Sequence, residues 1–127
     1  MQMTFDGYIN EPIFGSQDII GKANNNKIRL LTVERKFSDK KLKEFGGSWK
    51  ISNPQNVRNF SAAAYSFASY IHETLNVPVG IIVTSWGGTP AEAWAEKSLL
   101  DEKFKPGLLK NNFKGQYEHY NLGYLFN

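Results

Sequence analysis

The stretch from Gly80 to Trp94, G-I-I-V-T-S-W-G-G-T-P-A-E-A-W, constrains this chain more than any other part of it. Gly80 to Val83 is a short apolar, β-branched run, the pattern of a strand buried on both faces of a parallel sheet. It passes through Thr84-Ser85-Trp86 into Gly87-Gly88, where the backbone is freed from Cβ sterics. Thr89 and Glu92 have the spacing of a capping box and Pro90 falls at a first helical position, so a helix is predicted to start at once. A glycine turn between a strand end and a helix start presents backbone N–H groups at the carboxyl edge of the sheet. Open α/β folds bind ligands there, and negative charge is stabilised there.

Three familiar chemistries are excluded at this turn. A phosphate-binding loop needs Lys-Ser or Lys-Thr after its last glycine, and Gly88 is followed by Thr89 and Pro90. A dinucleotide fingerprint needs a third glycine, where Glu92 and Ala93 stand instead. A nucleophile elbow built on Ser85 would find Gly87 in place but Val83 at the other glycine position. What remains is an oxyanion-type site, N–H donors without a nucleophile of their own, or a plain strand-to-helix connection.

A wider set of residues resembles the sialate O-acetylesterase family of SGNH-type hydrolases, enzymes that remove acetyl esters from sugars. The set comprises Asn59-Phe60-Ser61-Ala62-Ala63-Ala64-Tyr65-Ser66-Phe67-Ala68, Leu75 to Gly80, and Thr84 to Trp94. Arg29 to Val33 and Gly47-Ser48-Trp49 extend it over most of Lys27 to Trp94. The resemblance implies an α/β fold, a partial three-layer SGNH or flavodoxin-like parallel sheet. It implies further that residues 1–127 form a single partial domain, truncated at both ends. The family's serine lies in a Gly-Gln-Ser-Asn-Met block; Met1-Gln2-Met3 resembles the end of that block, placing the serine two positions before Met1. The family's Gln-Gly-Glu and Asp-x-x-His blocks have no counterpart after Trp94, and Tyr124 to Asn127 resembles a segment that normally continues.

Ester hydrolysis by this route needs a serine, a histidine to take its proton, an acid to orient the histidine, and donors for the oxyanion. One such donor is worth about 3 kcal/mol of transition-state stabilisation. By resemblance the chain holds one, the backbone N–H of Gly87, with Gly88 the alternative if the register slips by one. Trp86 and Thr89 are the expected substrate-binding residues. The chain alone is therefore expected to be inactive, its role being part of an O-acetylesterase acting on sialic acid or another acetylated sugar. The alternative is a non-catalytic glycan-binding or interaction module, and a third reading is a mis-started frame with no function of its own.

The residues present do not rebuild a triad. His72 falls beside Tyr65 and Ser69, off the predicted apolar stripe of Phe60, Ala64, Phe67, Ile71 and Leu75, and reads as a solvated surface residue. His119, among Tyr117, Glu118 and Tyr120, matches no triad block. Two distant histidines and no cysteine give no metal-ligand spacing, and no cofactor is implied. Of the tryptophans, Trp86 could lie along a sugar ring, while Trp49 and Trp94 read as core.

Charge is uneven although the net value is only +3. Met1 to Gly21 has three acids and no base; Lys22 to Lys50 has nine bases against three acids, including Lys40-Lys41-Leu42-Lys43. That stretch is expected to lack interleaved exposed aromatics, matches no known nucleic-acid motif, and reads as a solvated, insertion-like loop rather than a nucleic-acid surface. No signal peptide or membrane-spanning run is visible, and the compartment is left open. The predicted elements are a short helix near Gln17 to Gly21, a turn at Asn24 to Asn26, a strand at Ile28 to Val33 and an extended piece at Ser48 to Ile51. A helix from Phe60 to Leu75, a strand from Val79 to Thr84, the helix after Thr89 and a break at Pro106-Gly107 follow. Strand, helix, strand in this order predicts a right-handed βαβ crossover and a parallel sheet, whose exposed edge is a route to self-association.

Overall fold

The structure is a computed structural model that describes residues 3–7, 11–99 and 113–126. The predicted break at Pro106-Gly107, together with Met1-Gln2 and Asn127, lies outside the described residues. The chain divides into two compact units: Met1–Glu34 with Gly46–Gly87, and Arg35–Phe45 with Gly88–Asn127.

The first unit begins with helix α1 (Ser16–Lys22) and strand β1 (Asn25–Thr32). Strand β2 (Lys50–Ser52), helix α2 (Pro54–Arg58), helix α3 (Ala62–Leu75) and strand β3 (Val79–Val83) follow. Among the described residues the sheet has the order β2-β1-β3. β1 and β3 run parallel, from Ile28 opposite Val79 to Thr32 opposite Val83. β2 lies antiparallel to β1, with Leu30 opposite Lys50, so the sheet is mixed rather than wholly parallel. The antiparallel partner is permitted because a separate loop, not a crossover helix, joins β1 to β2.

Local signals account for most element ends. Asn53 caps α2 by accepting from the Asn56 N–H at 2.8 Å, and Pro54 occupies the first turn. Ser61 caps α3 through Ala64 N–H, and Asn76 closes it in the left-handed conformation with its N–H on the His72 carbonyl. The His72 ring is fastened there too, Nδ1 lying 2.7 Å from the Val77 carbonyl, so it belongs to the helix end rather than to open solvent. The predicted turn at Asn24 to Asn26 is taken up by the start of β1.

Phe5, Ile20, Ile28, Leu30, Val57, Phe60, Ala62, Tyr65 and Ala68 make the core. Each large member contributes about 1.5–3 kcal/mol by leaving water. The buried face of α3 is Ala62, Tyr65 and Ala68; of the predicted stripe, Phe60 is buried and Ala64 packs against the core, whereas Phe67 is 61% exposed and Leu75 60%. Small alanines bring the helix close to the sheet, and Tyr65 can be buried because its hydroxyl lies 3.0 Å from Ser52 Oγ. Its ring meets Phe5 edge-on at 5.9 Å.

β3 also departs from expectation. Val79, Ile81 and Val83 pack toward the core, but Gly80 and Ile82 on the other face are exposed. A continuous apolar run does not by itself tell a two-faced strand from a one-faced one. Trp49, expected in the core, is half-exposed and lies over Gly80, where its ring would stand 3.2 Å from an added Cβ.

In the second unit, the main chain of Gly123 donates to the Glu92 carbonyl, and Leu125 and Phe126 donate to Ala93. The basic segment is tied into the same unit: Ser38 N–H donates to the Tyr124 carbonyl, and Lys41 pairs with Glu96 at 2.9 Å. Arg35–Phe45 has no regular secondary structure and is largely exposed, as a solvated loop is expected to be, while these bonds tie it to the unit.

Candidate functional site

The β3 strand delivers the chain to the glycine turn. Val33 N–H bonds the Val83 carbonyl at 3.0 Å, carrying the parallel ladder to the last residue of β3. Thr84, Ser85 and Trp86 leave the ladder, and Gly87-Gly88 form the turn. Trp86 is half-buried and Gly87 exposed, both closing the first unit; Gly88 is exposed and Thr89 half-buried, both opening the second. Gly88 has φ +79°, a region open to glycine and strained for other residues. An added Cβ would meet only the Tyr120 hydroxyl, at 3.7 Å, so backbone conformation rather than space selects glycine here.

Beyond the turn the predicted helix is replaced by a single 3-10 turn, Ala91–Trp94, with Pro90 at its N-cap and no side-chain cap. The capping box does not form. Thr89 Oγ1 instead accepts from Trp94 Nε1 at 2.9 Å, which also gives Trp94 its place. A single 3-10 turn carries little of the dipole of a full α-helix.

The two histidines belong to different units. His72 is fixed at the end of α3 in the first unit. His119, expected in an unmatched tail, is buried against Phe37 and Tyr120 in the second unit, its ring centroid 4.3 Å from that of Tyr120. No cluster of metal-ligating side chains occurs among the described residues, and no helix described is long and apolar enough to cross a membrane. A shallow groove of about 310 Å³ between α1 and α3, walled by Lys22, Tyr65, Ser69, Tyr70 and Glu73, contains none of the predicted site residues.

No protein-family model matches the chain. Sialate O-acetylesterase from Rattus norvegicus is 31% identical over 108 residues, which are 79% of this chain and 19% of that protein. The sialate O-acetylesterases of Pongo abelii and Homo sapiens are each 28% identical over the same share of this chain. By sequence, this chain is a relative of the sialate O-acetylesterases. It spans about a fifth of the length of the curated relatives it matches.

The fold agrees. The crystal structure of a carbohydrate acetylesterase from Xanthomonas citri superposes with a TM-score of 0.72 and 26% identity, covering 89% of this chain and 23% of its own. The fold is α/β, a mixed sheet with helices that matches part of the SGNH-type acetylesterase fold. Sequence reasoning missed one group beside the turn, Tyr120. Thirty-odd residues separate it from Gly88, and nothing in the local pattern of the tail points back to the turn.

Proposed function

We propose that this chain carries the oxyanion turn and part of the sugar pocket of a carbohydrate O-acetylesterase, as a single partial domain. The observation that carries the reading is a Gly-Gly turn leaving a parallel strand, in a chain related to acetylesterases over 79% of its length. In the complete reaction a serine attacks the acetyl carbonyl and a histidine takes its proton. The carbonyl oxygen becomes an oxyanion, held by donors that include the Gly87 N–H. Collapse breaks the bond to the sugar oxygen, which receives the proton from histidine, and water then releases acetate from the serine. Gly88 is the alternative donor; Trp86 lines the sugar and Thr89 orders the turn through Trp94.

The 127-residue chain, holding donors but no nucleophile block, does not turn over ester by this route. The acetylated carbohydrate is turned over only in company with the residues that complete the site. The partly exposed face of β3, which has β1 as its one strand partner among the described residues, makes self-association the further expectation.

The test is made in a form extended at both ends to the length of its relatives. Replacing Gly87 by proline removes the N–H and is expected to lower kcat by about 10²–10³-fold, with KM changed far less. An unchanged kcat removes Gly87 from the site and leaves Gly88 as the donor to test.

A further inference from the structure

The tail of the second unit presents a group of aromatic rings beside Gly88. Tyr120 meets Phe113 edge-on at 5.6 Å and stacks with Tyr117 at 5.9 Å with 25° between the rings. Tyr117 is half-exposed and Phe113 37% exposed, so the group presents aromatic surface to solvent. It is held firmly. The buried Asn121 side chain clamps both the N–H and the carbonyl of Phe113, at 2.8 and 2.9 Å. Glu118 accepts from the Gly115 N–H, and the following segment is hydrogen-bonded to Glu92 and Ala93. The Tyr120 hydroxyl is delivered to within ordinary contact of the Gly88 Cβ position.

Aromatic faces bind the C–H faces of sugar rings, while a phenol hydroxyl both donates to and accepts from sugar hydroxyls; rings with only two side-chain torsions lose little freedom in doing so. A packing role for the tail accounts for the ring contacts. It does not account for the half-exposed rings or for the hydroxyl aimed at the turn. We propose that Tyr120, with Tyr117 and Phe113, forms a wall of the sugar pocket, the Tyr120 Oη hydrogen-bonding the carbohydrate whose acetyl ester is brought to the glycine turn. This names the sugar-contacting residues of the site proposed above and rests on that reading of the turn.

The test is an NMR titration of the 127-residue chain with the methyl glycoside of an O-acetylated N-acetylneuraminic acid. Saturable shifts are expected at Gly88 and across Tyr117 to Asn121. Tyr120→Phe, which keeps the ring and the fold, is expected to raise Kd about fivefold, the worth of one neutral hydrogen bond. Tyr117→Leu is expected to weaken binding similarly, and Tyr70→Phe, an exposed tyrosine on α3, to leave it unchanged. No shift, shifts that spare these residues, or an unaltered Kd in Tyr120→Phe overturns the proposal. The esterase reading is judged separately, by cleavage of an aryl acetate that has no sugar. Cleavage by the extended form with sugar affinity indifferent to Tyr120 defeats this inference alone. Binding through Tyr120 with no cleavage by the extended form defeats the esterase reading and leaves the sugar wall standing.

Discussion

Gly88 is chosen by its φ of +79° and not by crowding, so Gly88→Ala is expected to cost about 1 kcal/mol, visible as a lower melting temperature without loss of fold. A melt unchanged by the substitution would mean that the turn relaxes. Thr89 is predicted to act through its hydroxyl: Thr89→Val removes the acceptor of the Trp94 indole and should cost about 1 kcal/mol, whereas Thr89→Ser should not. Equal melts for the two variants would contradict that role. Glu96 titrates below the usual carboxylate range, first through its hydrogen bond to Lys41, then through one to Ser98 and the Lys41 charge. A carboxylate lowered in the folded state adds stability above its unfolded pKa and loses it as pH falls through the folded one. That window lies below about pH 4, and Lys41→Met should move the Glu96 titration back up. An NMR titration reads both, and an unmoved midpoint would contradict the pair. The chemistry at this scale was legible where neighbours in sequence interact: the two glycines of the turn and the Ser61 cap stand in the text of the chain. Tyr120 at Gly88 and Ser52 at Tyr65 were not, because those contacts are made by the fold.

Among the elements, β1, β3 and α1 follow from apolar runs and turn residues, and α2 could have been read from Asn53-Pro54, a cap followed by a first-turn proline. The face of α3 was misjudged for a physical reason. Hydropathy favours Phe67 and Leu75, but the space against β1 and β3 admits alanines and one tyrosine whose hydroxyl has a partner. Ala68, fully buried, should therefore tolerate enlargement poorly: Ala68→Leu is expected to destabilise by about 1–3 kcal/mol, while Phe67→Ser should stay within about 0.5 kcal/mol. Denaturant unfolding distinguishes them, and the reverse order would restore the hydropathic stripe. The helix predicted after Thr89 failed because the side chain that was to cap it is engaged with Trp94 instead.

For the molecule as a whole, contiguity in sequence and contiguity in space part company at Glu34 and Gly87. The basic excursion Arg35–Phe45 belongs with the C-terminal residues, a pairing that charge alone could not reveal. With Ile82 exposed on β3, sedimentation should show reversible association at micromolar concentration, reduced by Ile82→Lys; a monomer with a cooperative, high-temperature melt would contradict it. Sequence and fold relate the chain to the acetylesterases, and the proposal assigns it oxyanion donors and sugar contacts of such a site. The most direct test is hydrolysis of an activated acetyl ester by the purified 127-residue chain beside the form extended at both ends. Turnover by the extended form and none by the short chain is the predicted result. Turnover by the short chain that is abolished by replacing Ser85, His72 or His119 would contradict the account, because the nucleophilic machinery would then lie within these residues.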